Sequence, residues 1–198
     1  MSLVLASQSS TRKAMLEAAG VAFDAMTPGV DEEAAKASLR AQGLGARDLA
    51  DALAELKALR LSQRIPGALV LGCDQTLALE DGAMLDKAAD RDTAAAQLRQ
   101  LSGRTHSLYS AAVITENGRA IWRHVDRAKL SVRPLSDAFI EQYLDVEFAT
   151  ITGSVGCYRV EGRGAQLFTR IEGSHFTILG LPLLPLLDYL RTRGLLTS

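Results

Sequence analysis

Several residues in this sequence are of the types, and at the spacings, that phosphate chemistry uses. The stretch LASQSSTRKAML puts Ser7, Ser9 and Ser10 where a short apolar run gives way to a helix that opens with Thr11, Arg12 and Lys13. Free backbone N–H groups at a helix N-terminus, together with the helix dipole, attract an anion and above all a phosphate. Ser7 and Ser9 add hydroxyl donors, and Arg12 adds a planar fork for phosphate oxygens. The same residues also have a plainer use, Ser9 as an N-cap and Arg12 as a solvated cation. The stretch is no P-loop, because the glycines and the GK[ST] ending are missing.

Lys57 lies four residues from Leu53 and four from Leu61, on the apolar stripe of its helix. A lysine there either snorkels out or points into a cleft. Asp74 comes at the end of the apolar strand Ala68–Leu71, past Gly72 and Cys73. An acid at that position faces the crevice where α/β folds hold ligands, or else caps a turn. Asp31, Glu32 and Glu33 form a carboxylate cluster able to hold a hard divalent cation, or a solvated helix start. Cations at one strand end and carboxylates at two others are the parts of a phosphoanhydride hydrolase. A metal offsets phosphate charge, and a carboxylate orients or deprotonates the attacking water.

The elements that must position these groups alternate along the chain. Strands are predicted at Leu3–Ala6, Ala22–Met26 and Ala68–Leu71, and helices from Ser9 or Ser10 to about Gly20, from the acidic cluster to about Leu39, and over residues 46–64. In the last of these Leu49, Leu53, Leu56 and Leu61 are expected to face inward. Asp81-Gly82 marks a hairpin between Thr76–Glu80 and Met84–Asp86. A helix at 91–101 precedes two long strands, His106–Thr115 and Ala120–Val132, joined by Glu116-Asn117-Gly118. A helix at about 136–145, short strands near 157–161, 166–171 and 175–179, and a helix Leu183–Arg193 complete the reading. Such alternation predicts a mixed α/β fold around one twisted sheet.

The 198 residues, 47% hydrophobic and 23% charged, suffice for one domain with a real core. A net charge of −1 and 5% aromatic residues give no basic stripe for nucleic acid. Cys73 and Cys157 are scattered, so neither a zinc site nor a disulfide framework is indicated, and a reduced cytoplasmic setting is expected. No signal-peptide layout or membrane-length apolar run is present, so no membrane partner is expected. His106, His124 and His175 show no metal spacing, and Gly153-Ser154-Val155-Gly156 is not a nucleophile elbow.

Read as a series, these stretches resemble the Maf family of nucleoside triphosphate pyrophosphatases. LASQSSTRKAML is similar to the family's opening signature. Val30-Asp31-Glu32, AELKA around Lys57, GCDQ around Asp74, LDKA around Lys87, SGRTHS at 102–107 and the stretch 156–183 follow in the family's order. The resemblance implies a single Maf-like domain over 1–198. It implies the fold of inosine triphosphate pyrophosphatase-like proteins: a twisted mixed sheet with flanking helices, two lobes and a central cleft. The implied reaction is hydrolysis of a nucleoside triphosphate to a monophosphate and pyrophosphate with Mg²⁺ or Mn²⁺. By position in the motifs, Asp74 is the proton acceptor, with Lys57 and Lys87 as catalytic cations. Ser7, Ser9, Thr11, Arg12, Gln75 and Glu161 contact substrate, and Asp31, Glu32 and Asp74 hold the metal. A homodimer is a further implication. The chain departs from the family around Lys87, where Asp86-Lys87-Ala88 replaces Gly-Lys-Pro, and at 151–156, where ITGSVG stands.

Within the family, resemblance separates a pyrimidine type, acting on dTTP and UTP, from a 7-methyl-GTP type. Gln75 and Glu161 side with the latter and Thr11 with neither. A carboxylate only accepts hydrogen bonds, so Glu161 suits guanine's adjacent donors and the positive charge of a 7-methylated ring. The alternative use of Glu161 is a surface pair with Arg159 or Arg163. The resemblance implies 7-methyl-GTP or another modified, non-standard nucleotide as substrate in a house-cleaning role, and it leaves open a dTTP/UTP pyrophosphatase and a non-catalytic regulator of cell division.

Overall fold

The computed structural model describes residues 2–197. The chain folds as two compact units, one of Met1–Gln75, Tyr109–Asp126 and Ser174–Ser198, the other of Thr76–Leu108 and Arg127–Gly173. Three long strands, β3 (Leu69–Leu79), β5 (Thr105–Glu116) and β6 (Arg119–Val132), belong partly to each. With β1 (Leu3–Ala6), β2 (Asp24–Ala25) and β7 (Phe168–Glu172) they form a sheet of order β2-β1-β3-β5-β6-β7, and β4 (Met84–Leu85) pairs with β3.

In the first unit β1 runs parallel to β2 and to β3, with Leu3 opposite Leu69 and Ala6 opposite Gly72. A parallel sheet is covered on both faces, which is why β1 and the start of β3 read as unbroken apolar runs. Period-two alternation then divides the core. Leu3, Leu5, Leu69 and Leu71 pack with α1 (Ser10–Ala18) and α7 (Leu183–Thr192) through Leu16, Leu186 and Leu190. Val4, Ala6 and Val70 face Ala58 and Leu61 of α3 (Ala46–Ser62). Asn117 and Gly118, both with positive φ, make the tight turn from β5 to β6. α2 (Glu32–Ala41) packs against α3.

In the second unit β4 pairs antiparallel with β3 and β7 with β6. α4 (Arg91–Leu101) packs on α5 (Asp137–Ile151), and Arg91 binds Glu141 and Asp145 at 2.6 Å each. The buried His106 and Tyr158 form an aromatic group with the partly buried Phe168.

The mixed α/β fold agrees with the sequence reading, and five local expectations are corrected. β3 does not end at Leu71 but continues through the Asp74 region to Leu79. No strand forms at 157–161, because Gly156 (φ 82°) and Cys157 (φ 59°) turn the backbone left-handed. Residues 163–167 form a 3₁₀ turn before β7. Residues 175–178 form a one-turn helix, α6 (His175–Ile178), bracketed by the left-handed Gly173 and Gly180. Thr177 and Ile178, β-branched residues common in strands, are buried side chains of that turn. Leu56 is exposed rather than inward, since Leu53, Lys57 and Leu61 already fill the buried stripe of α3.

Candidate active site

The centre of the first unit depends on how closely α3 approaches β3. Val70, Gly72 and Asp74 alternate onto the face that α3 covers, while Leu71 and Cys73 point into the opposite core. A side chain on Gly72 would lie 2.0 Å from the Ala54 carbonyl oxygen and 2.8 Å from the Ala58 amide nitrogen. Only glycine allows the helix backbone to rest there. Lys57, between those two alanines, thereby reaches β3. Its ammonium donates to Asp74 Oδ1 at 2.6 Å and pairs with Glu32 Oε1 at 3.1 Å. Lys57 is 5% exposed and Asp74 7%, so the lysine points inward rather than snorkelling out. Burying either charge alone is costly, and the short charge-assisted bond compensates. Asp74 therefore lies within a continuous strand, and the expectation of a strand-end acid is corrected.

The opening stretch supplies a second cluster. Ser9 caps α1 by accepting the Arg12 N–H at 3.3 Å. The buried Ser7 hydroxyl accepts the Ser9 N–H at 3.2 Å and a guanidinium N–H of Arg12 at 3.5 Å. Arg12 Nε donates to the Gly180 carbonyl at 2.8 Å, and a side chain on Gly180 would press on the guanidinium at 3.3 Å. The turn that precedes Gly180 is held by contacts that sequence reasoning missed. Gln75 Nε2 donates to the Thr177 and Ile178 carbonyls and to Ser110 Oγ, each at 3.0 Å. Ser110 Oγ donates to the Thr177 carbonyl at 2.7 Å, and Thr177 Oγ1 to Asp126 Oδ2 at 2.5 Å. These are contacts across more than thirty residues of chain, and no local pattern signals them.

The two clusters share a neighbourhood. Burial pushes the Cys73 thiol up to about 11, while the charges of Arg12 and Lys57 draw it down and that of Asp74 draws it up. Cys73 stays a protonated packing group.

Asp31 differs from its expected use. It is exposed and caps α2, accepting the Ala34 N–H at 3.1 Å. Its neighbour Glu32 instead turns to Lys57. Among the described residues no group of three or more His, Cys, Asp or Glu is gathered as a metal site. Two carboxylates, Asp74 and the half-exposed Glu32, do converge on one cation, the Lys57 ammonium. One or two carboxylates, completed by water and phosphate oxygens, is the donor set that Mg²⁺ takes. The residues present fit such an ion.

The remaining candidates are placed as follows. Thr11 sits half-buried in the first turn of α1. Lys87 and Glu161 belong to the second unit. Lys87 is exposed and forms an isolated antiparallel bridge with Val155. Glu161 is exposed and accepts from Arg159 Nε at 3.1 Å, the surface pairing considered above. Among the described residues no helix is long and apolar enough to cross a membrane.

Comparison with known proteins bears on the family. Residues 2–193 match the Maf-like protein family. A protein of Caulobacter vibrioides named nucleoside triphosphate pyrophosphatase is 55% identical over 195 residues, 98% of this chain and 97% of that protein. A Mesorhizobium japonicum protein named 7-methyl-GTP pyrophosphatase is 51% identical, covering 97% and 96%. Among solved structures, a nucleoside-triphosphatase (dITP/XTP pyrophosphatase) from Mycobacterium abscessus has a similar fold, with a TM-score of 0.50, 18% identity and 98% of each chain covered. On the family match over nearly its whole length and on relatives above 50% identity, this chain belongs to the Maf family.

Proposed function

We propose that the chain is a divalent-metal-dependent nucleoside triphosphate pyrophosphatase that prefers 7-methyl-GTP to dTTP and UTP. The observation that carries the hydrolytic part is the buried Lys57–Asp74 bond with Glu32 on the same ammonium. Asp74 takes the proton of the attacking water. Lys57 orients that carboxylate and, with Arg12, offsets charge on the phosphate oxygens and the departing pyrophosphate. Ser7 and Ser9 fix the entry to α1 that carries Arg12. Asp74 and Glu32 would hold Mg²⁺ or Mn²⁺, which when bound supplies further positive charge against the phosphates. The relatives' names support the same activity.

The base preference rests on acceptors. Gln75 spends its amide nitrogen on protein carbonyls, so the group it has left to offer is its carbonyl oxygen. Glu161 is a carboxylate held by Arg159 at the surface. Acceptors suit the donors of a guanine edge. A pyrimidine carbonyl would meet that carboxylate acceptor to acceptor, and where the bound base shuts out water an unpaired polar group costs roughly 1–3 kcal/mol, or about one to two decades in rate ratio. The test is steady-state kinetics of the purified protein with Mg²⁺ or Mn²⁺ on 7-methyl-GTP, GTP, dTTP and UTP. The expected order has 7-methyl-GTP about tenfold or more ahead of the pyrimidines, and Glu161→Gln narrows that ratio. A wild-type preference for dTTP or UTP, or ratios untouched by Glu161→Gln, refutes the base reading and leaves the pyrophosphatase reading standing.

A further inference from the structure

Lys87 has no proline beside it to stiffen its loop, since its neighbours are Asp86 and Ala88. The second unit nevertheless ties down the peptide groups on both sides of it. Gln97, a buried residue of α4, donates from Nε2 to the Asp86 carbonyl at 3.0 Å. The oxygen of the same amide accepts from Cys157 Sγ at 3.2 Å. The Ala88 N–H faces the same sulfur and draws its thiol down against the burial that raises it. One side-chain pair thus closes a ring around the Asp86-Lys87-Ala88 backbone, and the Lys87–Val155 bridge lies beside it.

Cys157 is held in place for this. Its backbone is left-handed, φ 59°, a conformation that a non-glycine residue keeps only where its surroundings over-determine it. Its carbonyl accepts the Tyr143 hydroxyl at 3.2 Å. Burial pushes its thiol up to about 11, so at neutral pH the sulfur keeps the proton that it donates to Gln97. A buried glutamine amide between an S–H donor and a carbonyl acceptor has its orientation settled, because only one arrangement satisfies both ends. The core of this unit needs neither polar group for burial, yet it holds both.

We propose that Gln97 and Cys157 are positioning residues for Lys87: they fix the loop from which its ammonium acts on substrate. This rests on the reading of Lys87 as a phosphate-path cation in the proposed pyrophosphatase. The experiment combines kinetics on the preferred nucleotide with Mg²⁺ and hydrogen exchange at the Ala88 amide, using Gln97→Met, Cys157→Ala and Cys157→Ser. Exchange at Ala88 should speed up at least tenfold in Cys157→Ala and Gln97→Met, and kcat should fall about tenfold. Cys157→Ser, which keeps a donor and an acceptor, should restore most of both. In a Lys87→Ala background neither substitution should lower kcat more than about twofold further, because the group being positioned is gone. Losses that multiply with Lys87→Ala would make the pair merely structural and overturn the proposal. So would unchanged exchange at Ala88, or a Lys87→Ala variant as active as wild type. If wild type hydrolyses no nucleoside triphosphate, the pyrophosphatase reading fails and the catalytic half of the proposal with it, while Ala88 exchange still decides whether the pair orders the loop.

Discussion

Gly72→Ala should uncouple the candidate site by moving a helix. The added methyl would meet the Ala54 carbonyl oxygen at 2.0 Å, the Ala58 nitrogen at 2.8 Å and the Ala58 Cβ at 2.9 Å. Two of these are backbone atoms in the middle of α3, so no side-chain rotation relieves the clash and the helix must retreat from β3. Overpacking of this kind costs about 1–3 kcal/mol, and a backbone clash belongs at the top of that range. For a chain of this size, about 3 kcal/mol corresponds to a fall in Tm of roughly 6–12 °C. The same retreat lengthens the Lys57–Asp74 bond from 2.6 Å. A charge-assisted bond contributes about 1.5–3 kcal/mol, so kcat/KM should drop roughly tenfold to a hundredfold at temperatures where the variant is still folded. Thermal melts and pyrophosphate release measure the two effects. Gly153→Ala is the control, since a side chain there meets nothing within 4 Å. A Gly72→Ala protein that melts with wild type and keeps its turnover would refute the argument that this close approach sets the site.

Two other perturbations follow from buried groups. His106 is buried, with Nε2 at 2.6 Å from the Tyr158 hydroxyl, its Nδ1 has no hydrogen-bond partner among the described residues, and burial lowers its pKa to about 4. The unfolded chain binds that proton near pH 6.5, so this contribution is full above about pH 6.5 and is lost as pH falls toward 4, by roughly 3 kcal/mol. His106→Phe should flatten the dependence of Tm on pH across that window, and a parallel profile would exclude His106 as its source. Lys57→Met strands the Asp74 carboxylate and should cost about 3–5 kcal/mol, less whatever relaxation toward solvent recovers. Adding Asp74→Leu should restore part of that stability in denaturant melts, and a double variant less stable than Lys57→Met alone would contradict the pairing.

Much of the first unit was legible in the sequence because its signals are local. A parallel strand buried on both faces shows as an apolar run, a capped helix shows its Ser9, and Lys57 stands out on an apolar stripe. Legibility failed where tertiary contacts overrode local preference. Asp31 and Glu32 read as one acidic cluster, yet the helix N-terminus takes Asp31 and leaves Glu32 to Lys57. Nothing local to Gln75 signals that its amide nitrogen reaches carbonyls about a hundred residues away and leaves only its oxygen to offer. The strand expected near 175–179 is the one-turn helix α6, in which Thr177 and Ile178 are buried side chains.

The central claim is that Asp74, held by Lys57, serves hydrolysis of a nucleoside triphosphate between its α- and β-phosphates. It is tested most directly by identifying and timing the products of wild type and Asp74→Asn with Mg²⁺. Wild type should form one pyrophosphate per nucleoside monophosphate and no diphosphate. Asp74→Asn keeps the side chain's shape and leaves Glu32 on the lysine, so it should remain folded while losing at least about a hundredfold in kcat, the scale of a general base. Release of orthophosphate and nucleoside diphosphate by wild type, or turnover by folded Asp74→Asn within a few-fold of wild type, would contradict the account.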